Sequence, residues 1–277
     1  MSNKSSSNIF TRVYNLARSA GLFEMALFKG FFLFSYFLYK RWYEDPFWAL
    51  ARRSPELFVR GDILDIGANI GYTAWVFAAA LEVNAKEPGK VYAFEPDLAS
   101  FAMLGEIIRR KELGDSVEIF NMAVGSADGS LEFWHNEAHS ADHRVVTDQF
   151  RASRPSSERI TKVAVRSVDS FVADRNLRNI SFIKIDVQGY EPAVCEGMRK
   201  TMEKFPTMCI AFEYAPDGMR ELGFEPLALL DFFRSAGYQL HILTRAATTP
   251  VQDNRAIDLA VEDSGYVDLL CSKKILG

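Results

Sequence analysis

The sequence predicts an α/β fold, a mainly parallel sheet covered by helices on both faces, with a helical segment ahead of it. Two patterns carry that expectation. From Gly61 onward, short β-branched or apolar runs alternate with stretches of helical character. The first of these runs ends in a glycine turn that opens straight into a helix. Composition agrees. Hydrophobic residues are 48% of the 277 and charged residues 25%, which is ordinary for a globular chain and excludes disorder, collagen-like repeats and a polytopic membrane protein. The length suits one α/β domain, expected over residues 58–277, and an accessory segment over 1–57.

In that first segment, residues 1–8 are polar and read as a frayed end. Residues 9–57 read as helices and close on Ser54-Pro55-Glu56, a helix-start signal. Residues 22–39 read LFEMALFKGFFLFSYFLY, broken only by Glu24 and Lys29. The uncharged part from Gly30 to Tyr39 is well short of the about 20 residues a spanning helix needs. It has no small-residue cleavage site and runs into Lys40-Arg41-Trp42, so it is not a signal peptide. A buried cap or a dimer-forming helix is the first reading. An interfacial membrane helix, or one wall of a pocket for a greasy substrate, is the second. Residues 20–45 are therefore expected to serve a homodimer or a peripheral membrane contact, in a cytoplasmic protein.

Seven strands are expected: 63–66, 91–94, 117–120, 180–185, 208–212, 238–243 and 266–271. Helical patterns at 72–83, 97–112, 191–203 and 226–236 separate most of them. The last two strands are read as joined by a loop, which suggests one antiparallel strand near the end. Ser130–His135 and Thr161–Arg166 break the rhythm and read as an inserted hairpin, spanning about 130–166, whose long connection can reach a site. Cys195, Cys209 and Cys271 form no CxxC, and Cys209 and Cys271 sit in apolar runs as buried thiols. The net charge of −4 argues against nucleic acid as a partner.

The most informative stretch is Asp65-Ile66-Gly67-Ala68-Asn69-Ile70-Gly71. Gly67 permits a tight bend and a close backbone approach. The second glycine of a dinucleotide GxGxxG is absent, because Asn69 stands there. Asp65 at the strand end would repel a pyrophosphate but suit an ammonium group. The second strand ends in Glu95-Pro96, and a carboxylate in that position accepts ribose hydroxyls in open α/β sheets. The third ends in Asn121-Met122-Ala123, which offers an amide and an apolar wall to an adenine. A ligand with a cationic amino acid end and an adenosine end, S-adenosylmethionine, satisfies all three.

DIGANIGYTAWVF, VYAFEPD, NMAVGSADGSLEF, SVDSF and FIKIDVQGYE follow one another as in FkbM-type methyltransferases, which this chain resembles over about residues 60–245. Residues 1–57 are outside the resemblance. It implies a Rossmann-like sheet of seven strands, S-adenosylmethionine as cofactor, and O-methyl transfer to a sugar, glycolipid or secondary metabolite, with a small molecule or glycan as acceptor. It places Asp65, Gly67, Asn69 and Gly71 at the methionine-binding loop, Glu95 at the ribose, and Asn121 to Ala123 at the adenine. A non-catalytic module of the same fold and an NAD-dependent oxidoreductase are the alternatives.

Methyl transfer to an alcohol requires alignment and removal of a proton. Period-two geometry puts Lys184 and Asp186 on one face of the fourth strand, with Asp186 at its carboxyl end. Asp186, Lys184 and His139 are the candidate catalytic residues. His135, His139 and His143 recur every four residues and can reach substrate from the insertion. His135, His143 and Glu213 are the candidate substrate contacts, Glu213 also being a candidate partner for Lys184. No metal is assigned, since the histidine spacing shows no further ligand. Arg144, Arg151, Arg154 and Arg159 read as a solvated basic loop.

Overall fold

A computed structural model describes residues 35–41, 45–58, 61–82, 89–135, 143–153 and 160–273. The apolar stretch 22–34 and His139 lie outside the described residues. Residues 35–41 are helical. Next come α1 (Phe47–Arg53), a short 3-10 turn at Pro55–Leu57, β1 (Asp62–Ile66), α2 (Tyr72–Glu82), β2 (Val91–Phe94), α3 (Leu98–Arg110) and β3 (Val117–Phe120). The inserted region holds β4 (Ala123–Val124), β5 (Gly129–Trp134), β6 (Arg144–Val145), α4 (Asp148–Ser153) and β7 (Ile160–Arg166). The chain then returns through α5 (Val168–Asp174), β8 (Ile180–Ile185), α6 (Glu191–Glu196), α7 (Arg199–Lys204), β9 (Cys209–Tyr214), α8 (Pro216–Glu221) and α9 (Pro226–Ser235). It ends in β10 (Gln239–Leu243), β11 (Thr248–Pro250), α10 (Asn254–Ser264) and β12 (Val267–Ser272).

The main sheet has eight strands in the order β11-β10-β12-β9-β8-β1-β2-β3. All seven expected strands are in it. β12 runs antiparallel between β9 and β10, which is the single reversal expected among those seven. The eighth strand, β11, pairs antiparallel at the edge and was not foreseen. The loop expected between the last two strands is corrected too: α10 occupies it. Asp253 caps this helix by accepting from the Arg255 N–H, and Gly265 ends it at φ 87°. Ile257 of α10 is buried, and Ala260 and Val261 pack partly buried beside it on the same core. The single helix expected at 191–203 is two. A Cβ on Gly197 would lie 2.1 Å from the Gly125 carbonyl oxygen, so the close approach of the insertion breaks the helix there.

Alternation along the strands feeds two cores. Leu64, Tyr92, Phe94, Ile183, Ile185, Ile210 and Phe212 point to one side, under α5 to α7, α9 and α10. Ile63, Val91, Ala93, Phe182, Cys209 and Ala211 point to the other, under α1 to α3. Eight of the eleven residues of α2 are buried, because residues 35–41 and 45–58 cover the side that would otherwise meet water. Phe37 and Trp48 stack on Trp75 at 5.7 and 5.5 Å, and Phe47 meets Phe77 edge-on at 5.6 Å. The expected hairpin is present: β5 and β7 pair antiparallel, inside a second sheet of order β4-β7-β5-β6. All three cysteines are buried and none is in a disulfide. No helix among the described residues is long and apolar enough to cross a membrane.

Candidate functional site

The carboxyl ends of β1, β2, β8 and β9 lie along one edge of the sheet, and the candidate residues gather there. The loop after β1 has φ of 78° at Gly67, 49° at Asn69 and 91° at Gly71. Asparagine is among the few other residues that tolerate this left-handed region. Gly67 is required on space as well as angle. A Cβ there would sit 1.8 Å from the Asp186 carbonyl oxygen, since the β1 and β8 tips touch. The Gly67 and Ala68 N–H groups donate to the Phe94 carbonyl at 3.0 and 2.9 Å. The β2 tip therefore holds the loop in shape.

Glu95 continues that brace. Its Oε2 accepts from the Asn69 N–H at 2.9 Å and its Oε1 from the Asp97 N–H at 2.8 Å. Burial pushes its carboxyl up to about 7, against the pull of those two N–H bonds. The Asn121 amide donates to the carbonyls of Glu95 and Pro96 at 2.9 and 3.1 Å, tying the β3 tip to the β2 tip. Met122 packs on the core beside it and Ala123 is buried.

Asp65 and Lys184 are register partners in the parallel β1–β8 pair. Lys184 is 3% exposed. Its Nζ donates to the Gly67 carbonyl at 2.6 Å and lies 3.4 Å from Asp65 and 3.5 Å from Asp186. Burial opposes its charge, yet Asp186, Asp65 and Asp45 together hold it above the ordinary lysine value. Asp65 has no exposed surface and accepts from the Thr73 hydroxyl at 2.7 Å. Burial raises its carboxyl more than Lys184 and Thr73 lower it. Asp65 is thus enclosed, with Lys184 between it and the cleft edge at Asp186.

Other acids line the cleft. A pocket enclosing about 620 Å³, including its solvent-facing mouth, is lined by the 67–70 loop, Lys184, Asp186, Glu213, Asp45 and Asp268, among others. Asp186 keeps 38% of its side chain exposed and accepts from the Gln188 amide at 2.9 Å. The same amide reaches Glu213 at 3.3 Å, so Glu213 is positioned by Gln188. Burial lifts Asp268 to about 7, with Asp45 and Asp186 adding to the rise, and lifts Glu213 well above its usual value for the same reason. Tyr72 also lines the pocket, and its buried hydroxyl has no hydrogen-bond partner among the described residues. An orphaned hydroxyl beside converging carboxylates fits a ligand that brings polar atoms and positive charge.

Asp45 and Asp268 were missed from the sequence. Asp268 faces Glu213 across the β9–β12 pair, a register that no local pattern announces. Asp45 arrives because the N-terminal segment folds back over the strand tips. The histidines stand apart from this pocket. His135 contacts Asp97 at 2.8 Å and His143 lies 3.7 Å from the same carboxylate. Arg144, on β6, pairs with Glu221 at 2.8 Å, and Arg151, on α4, pairs with Glu132; Arg154 and Arg159 lie outside the described residues.

The model of the Methyltransferase FkbM domain matches residues 65–240. The 2-O-methyltransferase NoeI of Sinorhizobium fredii is 27% identical over 185 residues, covering 62% of this chain and 71% of that protein. Among solved structures, the FkbM methyltransferase of Methylobacillus flagellatus matches with a TM-score of 0.49 and 16% identity. That match covers 82% of this chain and 48% of the other, so the chain spans about half of that protein. An S-adenosylmethionine-dependent O-methyltransferase of Thermotoga maritima matches with a TM-score of 0.38 and 13% identity, over 82% of this chain and 64% of that one. The family match takes in the glycine turn, Glu95, the insertion and the Lys184–Asp186 strand tip, well over half of the sequence, and on it the chain belongs to the FkbM methyltransferase family.

Proposed function

We propose that the chain transfers a methyl group from S-adenosylmethionine to a hydroxyl of a sugar, glycolipid or secondary metabolite. The observation that carries this reading is the shared edge of the sheet, where the 67–70 loop, Asp186 and Glu213 line one cleft and Glu95, at the next strand tip, braces that loop through the Asn69 N–H. When bound, S-adenosylmethionine supplies a sulfonium methyl open to in-line displacement. Glu95 is the ribose residue: each of its oxygens has one N–H bond and a second lone pair left for a hydroxyl. Pro96, Asn121, Met122 and Ala123 form the adenine side. The acid-lined pocket suits the cationic methionine end, and Tyr72 offers it a hydroxyl. Asp186 takes the proton from the acceptor hydroxyl, with Gln188 and Lys184 fixing its orientation. The family and the name of the relative NoeI support an oxygen acceptor. An NAD-dependent oxidoreductase is disfavoured by the missing second glycine of GxGxxG.

Methyl transfer from labelled donor to cell glycan and lipid extracts is the direct test, with calorimetry against S-adenosylmethionine and NAD beside it. Binding of NAD without the sulfonium ligand overturns the reading. Asp186→Asn is expected to lower kcat by at least about 100-fold with cofactor affinity within about threefold. A variant of equal turnover would place the base elsewhere.

A further inference from the structure

Away from the pocket, Asp97, His135 and His143 converge from three separate elements. Asp97 sits between Glu95 and α3, His135 follows β5, and His143 precedes β6. One ligand atom from each lies within 4.8 Å of the others. Asp97 divides its work. Its Oδ1 caps α3 by accepting from the Ser100 N–H at 2.8 Å, while its Oδ2 points at both imidazoles. The His143 Nε2 to Oδ2 separation of 3.7 Å exceeds a hydrogen bond. A tetrahedral ion with bonds of about 2.0–2.2 Å sets its ligands about 3.4 Å apart, between this separation and the 2.8 Å of His135. The surroundings suit an ion as well. Without an ion, His135 Nδ1 bonds Asp97 Oδ2 at 2.8 Å; an ion that takes Nδ1 displaces that proton, and the Thr161 hydroxyl, 2.7 Å from Nε2, can then accept the ring N–H. Phe133 packs edge-on against His135 at 5.3 Å and tilted against His143 at 6.1 Å, an apolar wall behind both rings.

We propose that Asp97, His135 and His143 form a site for a divalent transition ion of the zinc type, two imidazoles and one carboxylate with a position left for water. The histidine spacing alone lacks a carboxylate, and the fold supplies it from the β2–α3 loop. The ion and protons compete for the same lone pairs, so affinity rises with pH. Its place gives it a consequence. The Asp97 N–H bonds Glu95 Oε1, so the ion fastens the inserted sheet to the loop that carries Glu95. Binding itself is independent of the methyl-transfer reading, and its test uses neither donor nor acceptor.

The test is calorimetric titration of the chelator-treated chain with Zn2+ at pH 7.5, repeated at pH 6. Saturable binding near one equivalent is expected, with Kd below about 10 μM, weakening at least tenfold at pH 6. His143→Gln and Asp97→Ser should each weaken it by tenfold or more. Serine is also a good helix cap, so Asp97→Ser keeps α3 while removing the carboxylate. A raised thermal midpoint with Zn2+, absent in both variants, would support the site. Lack of saturable binding in the parent chain, or unchanged affinity in both folded variants, overturns it, whatever the outcome of the methyl-transfer assay.

Discussion

Lys184 shows how one side chain joins fold to chemistry. It bonds the carbonyl of the glycine turn and stands between Asp65, which is enclosed, and Asp186, which is open. Removing one partner of a buried pair leaves a charge without compensation and typically costs about 3–5 kcal/mol. Lys184→Met is expected to lose that much in urea unfolding, and Asp65→Asn in the same chain to restore part of it. If the double variant is no more stable than the single, Asp65 is not the partner that matters. Glu95 is the second such residue. Glu95→Gln keeps one acceptor and gives up the other, so affinity for S-adenosylhomocysteine should fall at least about tenfold, or 1.4 kcal/mol, by calorimetry. Unchanged affinity would remove Glu95 from the ribose role. The importance of both residues was legible from strand-end position and period-two spacing. The enclosure of Asp65 was not, since burial depends on what packs over a strand tip.

Among the elements, the N-terminal segment is the one whose role the sequence left open. Its described parts, 35–41 and 45–58, seal α2 with aromatic rings and bring Asp45 to the pocket. Lys111 adds a cation 4.2 Å over Trp75 from beyond α3, and burial lowers its pKa. Phe47 is 4% exposed and touches Phe77 and Phe182. Phe47→Ala should therefore cost about 3–5 kcal/mol in chemical denaturation, as for a residue of the sheet's own core. A cost under about 1 kcal/mol would mean that the segment rests loosely on the domain. The strands were legible because apolar runs bounded by turns have few other uses. α10 was not, although its apolar side chains share one face: that face is narrow, with Ile257 alone fully buried and Ala260 and Val261 partly so. The break at Gly197 was hidden because the obstacle, Gly125, belongs to a distant stretch of chain.

At the scale of the molecule, carboxylates crowd the strand tips, and stability should respond to pH. Glu191 is the clearest case. It is fully buried, accepts from the Val187 N–H at 2.9 Å, and burial pushes it up to about 7 from 4.5. A carboxyl raised on folding binds its proton more tightly in the native state. The stability it contributes is full below about 4.5 and is lost as pH climbs through about 7. Glu191→Gln removes that dependence and should gain roughly 1–3 kcal/mol over the parent at pH 8, with little difference at pH 4.5. A stability difference that does not vary with pH would show that Glu191 does not titrate in this window. By itself the sequence determined the fold class, seven strands of the main sheet, the glycine turn with its close backbone approach, and the family, because each is written in contiguous residues whose spacing follows the pitch of a strand or helix. Only the tertiary structure decided which acids are enclosed and which line the pocket, that Asp45 and Asp268 join them, and that Asp97 meets two histidines. Those meetings depend on strand order and on the packing of distant segments, and neither leaves a periodic trace in the chain.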